Sequence, residues 1–146
     1  MAMACDIRIA SDDARFGQTE LNVGVAPGCG GTQRLPRLVG LSKAKELIFT
    51  GKLISAQEAE KIGLVNQVVP KSELLTETLK TAESIAAKSP VILKIAKTVV
   101  NRGFEGDLAS GLQAELLAQS LAFSTDDHLE GIEAFLEKRD PKFTGK

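Results

Sequence analysis

The chain has 146 residues, 43% of them apolar, which suffices for one sizeable hydrophobic core and predicts one domain or part of one. Eighteen Lys and Arg oppose nineteen Asp and Glu, and with no Trp or Tyr and only six Phe the balance argues against nucleic acid or an anionic membrane as a partner. Cys5 and Cys29 are too few for a disulfide scaffold, so a reducing, cytoplasmic compartment is expected. Asp6 and Arg8 leave no room for a signal peptide's apolar core, and no stretch is long and apolar enough to span a membrane.

In chain order, Ile7–Ala10 reads as a short alternating strand and Arg15–Gly17 as a second extended piece beyond the Ser11-Asp12-Asp13 turn. Gly17, Gly24, Pro27, Gly28, Gly30, Gly31, Pro36 and Gly40 make the first forty residues rich in turns. Thr32 to Val39 is predicted as a short helix with Pro36 either in its first turn or breaking it. Ser42 is expected to cap a helix running to Phe49 and closed by Gly51. Ser55-Ala56-Gln57-Glu58 forms a capping box that opens a helix from Ala56 to Ile62, stopped by Gly63. Leu64–Val69 reads as a strand ended by Pro70. Four helices follow, near Ser72–Lys88, Pro90–Arg102 with Ser89 as cap, Leu108–Ala122 and Asp126–Lys138. Leu129, Ile132, Phe135 and Leu136 recur at helical spacing and share one face of the last of these.

Few residues offer chemistry. His128 is the single histidine, and next to Asp126 and Asp127 it reads as a solvated helix start rather than a metal ligand, because adjacent helical residues point different ways. Cys5 and Cys29 read as small buried apolar residues, with no histidine near either in sequence. Gly28-Cys29-Gly30-Gly31-Thr32 lacks the Lys-Ser/Thr of a phosphate loop; a glycine cluster entering a helix still lets backbone N–H groups approach a ligand, and a simple tight turn explains it equally well. Glu20 is a carboxylate set among apolar residues, an arrangement used in general acid–base catalysis but more often found merely solvated.

Ala2-Met3-Ala4-Cys5-Asp6-Ile7-Arg8-Ile9-Ala10, Phe16-Gly17-Gln18-Thr19-Glu20 and Pro27-Gly28-Cys29-Gly30-Gly31-Thr32-Gln33-Arg34-Leu35, in this order, resemble the enoyl-CoA hydratase, or crotonase, family. The likeness continues through Phe49-Thr50-Gly51, Ser55–Ala59, Gly63-Leu64-Val65, Glu130-Gly131 and Ala134–Arg139. It implies an α/β chain that is the C-terminal half of a member: residues 1–69 would be the end of a ββα spiral core and residues 70–146 a helical trimerisation region.

By the same resemblance, Glu20 would be the second of two catalytic glutamates that add or remove water across the C2–C3 bond of an acyl-CoA thioester. Gly28, expected at the start of the following helix, would help to place that water through its N–H, and Thr19 and Val23 would flank the acyl chain. The family often has proline where Thr19 stands, which bears on pocket shape more than on chemistry. Phe135 and Lys138 match positions that reach the adenine-phosphate part of coenzyme A, often on a neighbouring subunit. The partners implied are an acyl-CoA substrate and further copies in a homo-trimer or hexamer. No cofactor is implied beyond the coenzyme A of the substrate, and no metal. The family's first glutamate and its oxyanion N–H donors fall before Met1, so this chain by itself is expected to turn over little substrate. The alternatives are enoyl-CoA isomerase or another crotonase-type reaction, and a non-catalytic oligomerisation fragment.

Overall fold

In the computed structural model, which describes residues 1–146, the first alternating run forms β1 (Ile9–Ser11) and the apolar run before Pro70 forms β4 (Gln67–Val69). The two pair in parallel, Ala10 opposite Val68. β1 starts later than Ile7 because Asn66 intercepts the backbone: its side-chain oxygen accepts from Arg8 N at 2.9 Å and its own N–H donates to Arg8 O at 2.8 Å. Parallel partners need a long crossover, and here it runs over residues 12–66. β2 (Arg15–Phe16) pairs antiparallel with β3 (Ile54–Ser55), a strand too short for periodicity to reveal.

Three helices lie between β1 and β4. α1 (Gly31–Val39) is capped by Gly30 in the left-handed region, φ 81°. Pro36 sits inside α1 rather than in its first turn, where it removes one backbone donor; the buried Leu35 and the packed Leu38 and Val39 hold the helix on the core in spite of it. α2 (Leu41–Thr50) is preceded by Gly40, so Ser42 falls inside the helix and caps nothing, while Gly51 (φ 56°) closes it as expected. α3 (Ala56–Lys61) begins with Ser55 Oγ accepting from Glu58 N at 3.2 Å. The reciprocal half of that capping box is not made, because the Glu58 carboxylate pairs with Lys43 Nζ at 3.1 Å.

The chain divides into two compact units, Met1–Lys80 and Thr81–Lys146, and the division falls within α4 (Leu74–Ala86). The apolar core belongs to the first unit: Ala10, Leu35, Ala44, Leu47, Ile54, Ala56, Ala59, Leu64 and Val65 form one buried cluster.

The second unit contains α5 (Pro90–Glu105), α6 (Leu108–Phe123) and α7 (Asp126–Glu137), whose N-caps Ser89, Asp107 and Thr125 each accept a backbone N–H with their side chains. Gly103 and Gly111 let α5 and α6 approach so closely that a Cβ on Gly111 would stand 3.3 Å from Gly103 Cα. The shared face Leu129, Ile132, Phe135 and Leu136 points outward, with Phe135 82% exposed, and the residues that α7 buries are Asp127 and Ala134.

Beyond α7 the chain returns along the same helix. Arg139 clamps Glu130 with both guanidinium nitrogens, at 2.6 and 3.1 Å, and Lys142 N donates to Glu130 at 2.6 Å. Thr144 N and Gly145 N donate to the Asp127 carboxylate at 2.7 and 3.0 Å, Ser89 Oγ donates to it at 2.6 Å, and Asp127 N donates to Lys146 O at 3.1 Å. Burial opposes ionisation of Asp127, but these donors outweigh it and hold its carboxyl below the ordinary value. The Arg139 and Lys142 bonds bring Glu130 down to about 2.

Candidate functional site

The segment that carries Glu20 leaves β2 at Phe16 and makes a 3-10 turn, Glu20–Val23, closed by Gly24 at φ 75°. Thr19 occupies the N-cap with φ −98° and ψ 5°, so the turn starts from the sparsely populated bridge between the helical and extended regions. Glu20 is half-buried, and its Oε2 lies inside the protein without a hydrogen-bond partner. Gln18 Oε1 is in the same condition. Buried acceptors without donors are few in folded proteins, and each asks what group it serves.

Gly28 precedes the helix instead of starting it. Gly30 is the cap of α1, so Gly28 opens a turn in which its carbonyl accepts from Gly31 N at 2.9 Å. A Cβ on Gly28 would meet nothing within 4 Å, which leaves open space above this backbone. Gly31 is the opposite case, since a Cβ there would collide with Gln18 Oε1 and stand 3.2 Å from Pro27 Cβ. The Glu20 segment and the glycine turn therefore touch through Gln18 and Gly31. Thr19 and Val23 flank Glu20 along the chain and both are exposed, Val23 by 78%.

Phe135 and Lys138 both belong to the end of α7: Phe135 O accepts from Lys138 N at 3.3 Å, and Lys138 adopts a left-handed conformation, φ 55°. Both side chains are exposed. A cavity of about 600 Å³ between α5, α7 and the returning tail is lined by Phe135, Phe143 and Ile92, among others; it lies wholly within the second unit, and no residue of the Glu20 site lines it. A smaller cavity of about 180 Å³ in the first unit reaches Gln18 but not Glu20.

Both cysteines are exposed, contrary to the expectation of burial. Cys29 lies in the turn before α1 with φ 49°, held by Arg34 Nη1 donating to its carbonyl at 2.9 Å, and a loop in that conformation turns its side chain out of the core. His128 is half-buried with its ring 4.9 Å from that of Phe123. No three His, Cys, Asp or Glu side chains gather as a metal site would need.

Sequence reasoning overlooked Gln18 and Asn22, and it read Asp127 as part of a solvated helix start, whereas the structure buries it. The first two carry a signal, since Gln18, Glu20 and Asn22 are polar residues at alternate positions, with Thr19 and Leu21 between them. Asp127 carries none, because a helix-start aspartate is ordinarily solvated.

The sequence model of the family described as enoyl-CoA hydratase/isomerase matches residues 1–146. A short-chain-enoyl-CoA hydratase of Clostridium acetobutylicum is 50% identical over 139 residues, covering 95% of this chain and 53% of that protein. A crotonyl-CoA hydratase of Syntrophomonas wolfei is 47% identical over 146 residues, covering all of this chain and 56% of the relative. The crystal structure of an enoyl-CoA hydratase from Bacillus anthracis superposes with a TM-score of 0.97 at 48% identity, over 99% of this chain and 56% of that one. The chain thus spans a little over half the length of these relatives.

Proposed function

The chain belongs to the enoyl-CoA hydratase/isomerase family, and from that premise we propose that it carries part of the catalytic apparatus of a 2-enoyl-CoA hydratase, with Glu20 as one proton-transfer carboxylate. One observation supports this reading above the others: Glu20 Oε2 is buried and unpartnered in a segment that touches the open glycine turn. Water adding across the C2–C3 bond bonds its oxygen to C3 and leaves a proton for C2, while negative charge gathers on the thioester oxygen. A carboxyl held close to both carbons moves the proton, and backbone N–H groups orient water and stabilise the charge.

In this reading Gly28 N–H orients the water, Thr19 and Val23 border the acyl chain, and Phe135 and Lys138 meet the adenine-phosphate end of coenzyme A from a neighbouring subunit of a trimer or hexamer. The other catalytic carboxylate and the oxyanion donors are supplied from outside these 146 residues. The setting is acyl-CoA metabolism, and the coenzyme A of the substrate serves in place of a cofactor.

Hydration of crotonyl-CoA, followed by loss of enoyl-thioester absorbance, tests the proposal. Glu20→Gln in the active protein should lower kcat by about 10²- to 10⁴-fold. Unchanged turnover in that variant, or full turnover by the 146-residue chain alone, refutes the paired-carboxylate reading. A non-catalytic assembly role is favoured by one observation, the exposed leucines Leu108, Leu112, Leu116, Leu117 and Leu121 along α6. Size-exclusion chromatography with coenzyme A titration separates the two, since an oligomer that ignores coenzyme A supports assembly alone.

A further inference from the structure

From the contacts around the Glu20 turn we infer that Asn22 is a positioning residue for the reaction, acting through Glu20 by fastening its turn to the loop that follows α2. The inference rests on the hydratase reading of Glu20. Asn22 Nδ2 donates to Gly51 O at 3.0 Å. Gly51 is buried in a left-handed conformation, φ 56°, and its own N–H is bound to the carbonyls of Leu47 and Ile48 at 3.1 and 3.3 Å. The acceptor is thereby fixed to the end of α2, itself anchored in the core by Leu47. The Asn22 side chain fills the place of a Gly51 Cβ, which would lie 2.8 Å from Asn22 Cγ.

The same loop braces the turn from its other end. Leu53 Cδ2 and Lys52 O would stand 2.8 and 3.0 Å from a Cβ on Gly17, and the loop runs straight into β3, the partner of β2. Gly51–Leu53 thus grips the chain three residues before Glu20 and two residues after it. Two attachments, one on each side of a short turn, leave its first residue little freedom, which is the geometric requirement for a proton-transfer group.

The experiment compares Asn22→Ala and Asn22→Asp with Glu20→Gln in the full-length active protein. Asn22→Asp keeps the size but has no donor for Gly51 O. Both Asn22 variants should lower kcat for crotonyl-CoA by about tenfold to a hundredfold with KM nearly unchanged, as expected when a reacting group is misplaced by an ångström or less. Amide exchange should quicken at Asn22, Gly24 and Val25, whose N–H groups close the turn. If Glu20→Gln abolishes turnover while both Asn22 variants keep their kcat, the brace is overturned and the hydratase reading stands. A raised KM at constant kcat, or a kcat loss matched by general destabilisation, also overturns it. Should Glu20→Gln stay active, the hydratase reading fails, and unchanged exchange in Asn22→Ala then sinks the brace on its own.

Discussion

The two units are held together by different means. In Met1–Lys80 a cluster of buried apolar side chains from β1, α1, α2, β3 and α3 forms the interior, and polar groups decorate it. In Thr81–Lys146 the fully buried residues are Ser89, Thr125, Asp127 and Ala134, and three of the four are polar. Neither α5 nor α6 buries a residue completely, though α5 is rich in Ile and Val and α6 in Leu. The first unit is organised by packing, worth about 1.5–3 kcal/mol for each large side chain removed from water. The second is organised by caps and by two carboxylates, Asp127 and Glu130, that hold the returning tail.

Core truncation gives the largest expected stability contrast. Leu47→Ala, at a site only 1% exposed, should destabilise the first unit by about 2–5 kcal/mol in urea unfolding, whereas Leu116→Ala, at 66% exposure, should stay within about 0.5 kcal/mol. Equal losses at both sites would erase the distinction.

Acid should release the returning tail of the second unit. Asp127 and Glu130 both bind protons more weakly folded than unfolded, so their stabilisation is complete above the unfolded value and is lost as pH falls through the folded one. For Glu130 that window runs from 4.5 down to about 2. Protease sensitivity or amide exchange at 140–146 should rise through that range. A tail that stays protected to the bottom of the window contradicts its being held by the two carboxylates.

Cap removal sharpens the comparison at smaller amplitude. Ser55→Ala should cost about 0.5–2 kcal/mol, read as a shift in the urea midpoint of the first unit. Ser89→Ala removes a cap and an Asp127 donor together, so it should loosen the tail as well as the start of α5, a second effect for which Ser55 has no counterpart.

The sequence was most legible where structure is local. Ser89-Pro90, the Ser55 cap and Gly51 were readable because each acts within one turn of its own helix, and α5, α6 and α7 stand close to their expected spans. The short elements escaped that logic. β3 has two residues and exists because β2 lies beside it, and Ser42 lost its cap to Gly40 because the approach from α1 placed the helix start two residues earlier.

At the site, Glu20 and the glycine turn were visible as motifs, but their relation was not. Their contact runs through Gln18 and Gly31, residues thirteen apart whose meeting depends on how the turn before α1 folds back. Asn22 and Gly51 meet across 29 positions for the same reason.

By itself the sequence determined most helix spans, the caps of α3 and α5 and the family to which the chain belongs, because these depend on residue type and on neighbours within a few positions. Tertiary structure alone decided that Asp127 is buried, that the cysteines and the Leu129–Leu136 face look outward, and that the loop after α2 grips the Glu20 turn. Burial and contact between distant residues are properties of the packed chain, and no local pattern encodes them.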